Sequence, residues 1–86
     1  MKARFHKSFA KQLGKHPAKI QMAFQKRLTL FLVDPFDQIL SNHALGGRWE
    51  GHRSINISGD LRAIYELIDE DTAFFVAFGT HSQLYG

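Results

Sequence analysis

Apolar residues recur at helical spacing over the first third of the chain and at strand spacing over its second half. Phe5, Phe9 and Leu13 recur every four residues with lysines between them, which is the pattern of an amphipathic helix. Gly14 is a suitable place for this helix to end. A short opening strand is predicted at residues 1–5, before the helix.

A second helix is predicted from Pro17 to Val33. Proline has the fixed backbone angle and missing N–H that suit the first position of a helix, and Pro35 disfavours helical geometry at Asp34. The apolar face of this helix is formed by Ile20, Phe24, Leu28, Phe31 and Leu32. Because only about two residues join the two helices, they should form an antiparallel hairpin with their lysines in water.

The residues between Asp34 and Gly47 show no sustained period, which predicts a loop with at most one helical turn. Beyond this loop the apolar period changes to two, the period of β-strands. The predicted strands and turns are Trp49–Ile57, a turn at 58–60, Leu61–Ile68, a turn at 69–71, and Thr72–Phe78. On the first strand one face carries Arg53, Ile55 and Ile57, and the other carries His52, Ser54 and Asn56. On the second strand the two faces carry Leu61, Ala63, Tyr65 and Leu67, and Arg62, Ile64 and Glu66.

The order of elements is therefore a short N-terminal strand, an antiparallel helical hairpin and a three-stranded antiparallel meander. This order predicts an α+β fold in which the helices pack on one face of the sheet. There are no repeats or linkers, so residues 1–86 are expected to form a single domain. The second face of the sheet then needs a partner or a function.

Positive charge is concentrated in the helical part of the chain. Eight of the 11 basic side chains, and no Asp or Glu, lie in residues 1–33: Lys2, Arg4, Lys7, Lys11, Lys15, Lys19, Lys26 and Arg27. A surface of one sign attracts polyanions or an acidic protein partner. A solvated helix face that only keeps the protein soluble is the other interpretation.

Several classes of protein are excluded by what the sequence lacks. There is no cysteine, so neither a disulfide framework nor a thiolate zinc site is possible. The N-terminus has no signal-peptide core, and no apolar run approaches the roughly 20 residues that span a bilayer, so we expect a cytoplasmic protein. The five histidines lack close metal-ligand spacing, and no P-loop or dinucleotide fingerprint is present, so no metal or cofactor is expected.

Polar residues that could carry acid–base chemistry are found in three short segments. These are Asn42–Gly47, Ser58–Arg62 and Gly79–Gly86. Taken singly, each has a local explanation as a turn, a cap or an exposed end. Their order along the chain is less ordinary.

The three segments together resemble the RelE/ParE superfamily of bacterial type II toxins, and most closely its YafQ-like branch of mRNA interferases. The resemblance is carried by His43–Arg53, Gly59–Tyr65 and Gly79–Tyr85. In the first segment the branch typically reads His-Pro-Leu, a short glycine-containing link, and Trp-Lys-Gly-Tyr-Arg. Two positions depart from the pattern: Asn56 stands where the branch often has a second catalytic histidine, and Leu61 stands where it often has tryptophan.

The resemblance implies a RelE-like fold and endonucleolytic cleavage of mRNA, usually on the ribosome. It also implies a cognate antitoxin encoded beside the toxin, with oligomerisation through that antitoxin. The reaction would be attack of a ribose 2′-hydroxyl on the adjacent phosphate. This step needs a base, an acid and fixed positive charge.

Roles carry over from the resemblance to individual residues. His81 is the candidate general acid, since histidine exchanges protons near neutral pH. The candidate base is either His43 or Asp60. The always-charged guanidinium of Arg62 would stabilise the crowded phosphate, and Tyr85 would stack on a base.

The remaining candidates would bind substrate. Asn56 and His52 lie on the first strand of the meander, and His52 occupies a position that is often tyrosine in the branch. Lys11 and Lys15 on the first helix would attract RNA without regard to sequence.

Two other functions stay open on the sequence alone. A ParE-like toxin would bind DNA gyrase without catalysis, and would not need His43 and His81 together. A non-catalytic adaptor would use only the basic helical hairpin.

Overall fold

The two predicted helices are present in the computed structural model, which describes residues 1–86. Helix α1 spans Lys7–Gly14 and helix α2 spans Ala18–Val33. Nδ1 of His6 caps α1 by accepting a hydrogen bond of 3.0 Å from the Ser8 N–H. Pro17 is the N-cap of α2, so this helix begins at Ala18, one residue later than predicted. No helix of the protein has the length and apolarity that crossing a membrane requires.

Five strands form one sheet, in the order β1-β5-β4-β3-β2. Their bounds are β1 Lys2–Phe5, β2 His43–Ala44, β3 Arg53–Ser58, β4 Leu61–Asp69 and β5 Thr72–Thr80. The predicted meander is confirmed, because β3, β4 and β5 pair antiparallel in sequence order. The opening strand β1 is also confirmed, and it lies parallel to β5 at one edge of the sheet. At the other edge is β2, within a stretch that the sequence predicted as loop.

Strand β3 begins four residues later than the predicted start at Trp49. The intervening chain forms a 3-10 turn at Gly47–Trp49 and then a further turn. Gly47 has a φ of 59° and Gly51 a φ of 88°, which extended strands do not adopt. Gly51 lies inside the predicted strand, and its left-handed conformation delays the start of β3.

The helical hairpin packs on one face of the sheet and encloses an aromatic core. Phe75 lies at its centre and is fully buried. Its ring centroid is within 5.9 Å of those of Phe5, Phe9, Phe24, Phe31 and Tyr65. The prediction that the helices cover one face is therefore confirmed.

A bulge in β5 adapts this strand to the two faces of the sheet. Ile64 pairs with Ala77, whereas Tyr65 pairs with Phe75, so β5 has one extra residue between these pairs. As a result Phe75 and Phe78 both face the helical core, although they are three residues apart. A regular strand would direct them to opposite faces.

The second face of the sheet is covered in part by a short helix, α3, at His81–Tyr85. Leu84 of α3 packs on Ile64 and Ala77 in a small apolar cluster, together with Leu45 and Trp49 from the loop before β3. The apolar periodicity of the sequence predicts no helix in this segment. Its sequence signal is the Thr80-x-x-Gln83 pattern, which is a capping box that begins a helix.

Candidate active site

A cavity of about 490 Å³ opens on the second face of the sheet, beside α3. It is lined by Ser41, His43, Leu45, Gly46, Asn56, Arg62, His81 and Tyr85. Three predicted catalytic residues and two predicted substrate-binding residues therefore lie around one space. They come from β2, β3, β4 and α3, which are adjacent only in the folded protein.

The register of the sheet accounts for two of these side chains. Asn56 on β3 pairs with Arg62 on β4. Residues paired directly across antiparallel strands project from the same face, so both side chains reach the cavity. On its other side Arg62 pairs with Gly79, which has no side chain to fill the space.

His43 is held in one tautomer by the loop before β2. Its Nδ1 lies 2.9 Å from the carbonyl oxygen of Ser41. A carbonyl can only accept a hydrogen bond, so Nδ1 carries the proton and donates it. In the neutral ring, Nε2 is then the unprotonated nitrogen and can accept a proton from another group.

Asn42, next to His43, anchors this loop to the core. Its Nδ2 donates to the Pro35 carbonyl at 2.8 Å and to the hydroxyl of the buried Tyr65 at 2.7 Å. Its Oδ1 accepts a hydrogen bond of 2.7 Å from Nε of Arg53. Sequence reasoning assigned no role to Asn42, because its three partners are brought to it only by the fold.

Arg62 brings a positive charge that no carboxylate neutralises. Its Nη1 donates to the main-chain carbonyls of Gly59 at 3.0 Å and Leu61 at 3.3 Å. The guanidinium forms no ion pair, since the ion pairs of the structure are Met1–Asp71 and His52–Glu66. The remaining donors of Arg62 are free to bind an anion in the cavity.

His81 and Tyr85 lie one turn apart on α3 and face each other. Their ring centroids are 4.6 Å apart at an interplanar angle of 65°. His81 is exposed, whereas the hydroxyl of Tyr85 is buried and has no hydrogen-bond partner. The pair therefore presents a titratable ring to solvent and an aromatic ring beside the cavity.

Helix α3 is too short to be stable without tertiary contacts. Thr80 accepts from the Gln83 N–H at 3.2 Å, and the Gln83 Oε1 accepts from the Thr80 N–H at 2.8 Å. The absence of a side chain at Gly79 permits this cap, because a Cβ there would lie 2.8 Å from the same Oε1. At the other end, Trp49 Nε1 donates to the Leu84 carbonyl at 2.9 Å. Arg48 donates to that carbonyl as well.

The other predicted site residues lie outside this cavity. Asp60 is exposed in the turn between β3 and β4, and its main-chain carbonyl accepts a hydrogen bond of 3.2 Å from the His81 N–H of α3. His52 lies before β3, with its Nε2 3.6 Å from Glu66 Oε2 and its ring against Trp49. Lys11 is exposed on α1, and Lys15, which is exposed at the C-cap of α1, lines a neighbouring cavity. No three His, Asp or Glu side chains are grouped as metal ligands.

The chain is similar in architecture to several solved structures of bacterial toxins. YafQ from E. coli strain BL21(DE3) is 24% identical with a TM-score of 0.79, over 98% of this chain and 97% of that one. YafQ in the E. coli DinJ–YafQ toxin–antitoxin complex is 24% identical with a TM-score of 0.72, over 98% and 96% of the two chains. A copper-bound mutant toxin from Helicobacter pylori is 29% identical with a TM-score of 0.68, over 99% of both chains.

No curated protein matches the sequence. A family model does match, over residues 1–86, and it is described as the bacterial toxin of a type II toxin–antitoxin system, YafQ. The resemblance seen in the sequence is thereby confirmed. The chain belongs to the YafQ family of type II toxin–antitoxin toxins.

Proposed function

We propose that this toxin is an endoribonuclease that cleaves mRNA on the ribosome without a metal ion. The observation that supports the proposal is the convergence of His43, Arg62 and His81 on one open cavity. Two groups that can exchange protons and one permanent cation are the functional groups that phosphodiester transesterification requires. Tyr85 adds an aromatic ring on which a base can stack.

In the proposed reaction the Nε2 of His43 takes the proton from the ribose 2′-hydroxyl. The 2′-oxygen attacks the adjacent phosphorus, and the bond from phosphorus to the 5′-oxygen breaks. His81, protonated at the start, gives its proton to this leaving oxygen. The products are a 2′,3′-cyclic phosphate and a 5′-hydroxyl, while the guanidinium of Arg62 stabilises the charge that develops on the phosphate.

The tautomer of His43 favours it over Asp60 as the base. Its Nδ1–H is engaged by Ser41, so its free nitrogen is an acceptor before substrate binds. The Asp60 carboxylate is not among the groups that line the cavity. In the proposed mechanism Asp60 therefore acts through its main-chain contact with α3.

We also infer that the toxin is neutralised by a cognate antitoxin protein. The structural relative YafQ is found in a complex with DinJ, and another similar toxin is in the RelBE2 complex of Mycobacterium tuberculosis. The basic helices, which contain no acidic residue before Asp34, would suit an acidic partner.

The proposal is tested by incubating the purified toxin with translating ribosomes and mapping new mRNA ends by primer extension. The wild-type protein should generate new ends, and His81→Ala should reduce their rate of formation by about 10²- to 10⁴-fold. Ser82→Ala is the matched control, because Ser82 is the exposed neighbour of His81 on α3. Absence of cuts by the wild type, or equal cutting by His81→Ala, would contradict the proposal and favour a non-catalytic toxin.

A further inference from the structure

A second cavity, of about 410 Å³, lies between α1 and α3 and is separate from the site described above. It is lined by Gln12, Lys15, His16, Phe78, Gln83 and Leu84. None of these residues is acidic. The proposed reaction uses none of their side chains.

Both glutamines of this second cavity have their carbonyl oxygen occupied by the main chain. Oε1 of Gln12 accepts a hydrogen bond of 2.9 Å from the Phe78 N–H. Oε1 of Gln83 accepts one of 2.8 Å from the Thr80 N–H. Because a main-chain N–H can only donate, the amide orientation is determined in both cases. Each glutamine is left with its NH₂ group, which is a donor only.

The other polar side chains of the cavity are a lysine and a histidine. Lys15 is exposed and contributes an ammonium group, and Lys11 stands one helical turn before it on α1. The ring of His16 packs edge-on against Phe78, with centroids 5.2 Å apart. Two amide NH₂ groups beside an ammonium group, with no carboxylate, provide a site for an anion.

We propose that this second cavity binds one backbone phosphate of the RNA, next to the phosphate that is cleaved. The inference rests on the proposed function and extends it to a binding site outside the catalytic cavity. RNA is favoured over an acidic peptide because α3 separates the two cavities, with His81 lining one and Gln83 the other. An α-helix with its side chains is only about 10–12 Å across, so a strand that crosses α3 can reach both cavities with nearby phosphates.

Two substitutions test the site with little effect on the fold. Gln12→Glu keeps the oxygen that accepts from Phe78 and replaces the NH₂ group by a second, negatively charged oxygen. Gln83→Glu likewise keeps the oxygen that accepts from the Thr80 N–H and replaces the NH₂ group. Glutamate is also a preferred residue at this position of a capping box. Gln25→Glu is the matched control, because it makes the same change of charge on the exposed side of α2.

The measurement is the Kd for a short 2′-O-methyl RNA oligonucleotide, which cannot be cleaved, at two salt concentrations. A hydrogen bond to a charged group contributes about 1.5–3 kcal/mol, so each variant in the cavity should bind about tenfold or more weakly. The slope of log Kd against the logarithm of the salt concentration should also fall, by about the amount that one phosphate contact contributes. Gln25→Glu should bind as the wild type does, and circular dichroism should show all three variants to be folded.

The outcomes separate this inference from the proposed function. Equal Kd values for the wild type and both cavity variants would overturn the phosphate site, even if the toxin cleaves mRNA. Weaker binding by the variants would support the site, even if the wild type cleaves nothing. If the variants lose affinity for the antitoxin but keep their affinity for the oligonucleotide, the cavity belongs to the protein partner and the RNA assignment is wrong.

Discussion

The indole N–H of Trp49 donates a 2.9 Å hydrogen bond to the main-chain carbonyl of Leu84. This bond joins the loop before β3 to the last turn of α3, 35 residues later. His81 and Tyr85 lie on the same short helix, so its position determines where both rings stand relative to His43. Trp49 therefore supports the candidate site without lining its cavity.

Trp49→Phe should reduce the rate of cleavage more than it reduces RNA affinity. The substitution keeps an aromatic side chain against α3 but removes the donor, and a net hydrogen bond contributes about 1 kcal/mol. Rate and Kd are measured on the same preparation, with thermal unfolding as a check on global stability. A variant whose rate and affinity fall by the same factor would show that Trp49 does not position His81.

His43→Asn should lower the cleavage rate by about 10²- to 10⁴-fold. The Asn amide can still donate to the Ser41 carbonyl, but it cannot take a proton from a 2′-hydroxyl. Asp60→Asn is the comparison, and it should leave the rate within a few-fold of wild type because the carboxylate lies outside the cavity. The assignment of the base would move to Asp60 if the two variants exchanged these outcomes in primer extension.

Asn56→His should raise the cleavage rate, by up to about 10²-fold. Asn56 lines the cavity opposite Arg62, and its amide cannot exchange protons near neutral pH. An imidazole there would add an acid–base group beside the phosphate. Asn56→Leu provides the control for size and should give no increase. A rate unchanged by histidine would indicate that the residue at this position does not act in proton transfer.

Asp69→Asn should destabilise the protein at neutral pH and have less effect in acid. The Asp71 N–H donates to the Asp69 carboxylate at 2.8 Å and, with the Thr72 hydroxyl, lowers the pKa of that carboxyl. A lowered folded-state pKa stabilises the fold above the unfolded-state pKa, and this stabilisation is lost as the pH falls through the folded-state pKa. The difference in Tm between variant and wild type should therefore shrink below the ordinary carboxyl range. Glu70→Gln, in the same turn, controls for the change in charge, and a pH-independent difference for Asp69→Asn would refute the explanation.

Phe75→Ala should cost about 3–5 kcal/mol in the free energy of unfolding, because its ring is fully buried among five other aromatic rings. Native domains are stable by only about 5–15 kcal/mol, so this variant should be near its unfolding transition. Val33→Ala is the matched truncation at a side chain that is 83% exposed, and should change stability by less than about 0.5 kcal/mol. Urea denaturation measures both. A small effect at Phe75 would mean that the core collapses around the missing ring.

The sequence predicted those parts of the fold that depend on local periodicity. The apolar stripe from Phe5 to Leu13 and the alternation from Leu61 to Tyr65 indicate directly which side chains can be buried together. The predicted start of β3 was too early because Gly51, inside the predicted strand, has a left-handed conformation that the alternation of residue types does not reveal. The five-residue α3 was missed because it is shorter than two helical turns and has only its capping box as a signal.

What the sequence determined by itself was the helical hairpin, the opening strand and the meander, the face on which these elements are buried, and the chemical groups available for a site. The tertiary structure alone decided that β1 pairs parallel with β5 and that α3 packs over the second face. It also brought His43, Arg62 and His81 around one cavity, while it left the Asp60 carboxylate and His52 outside. The physical reason is that hydrophobic periodicity acts over a few neighbouring residues. The site depends on strand register and on contacts such as Trp49 with Leu84, which join distant segments only after the sheet has formed.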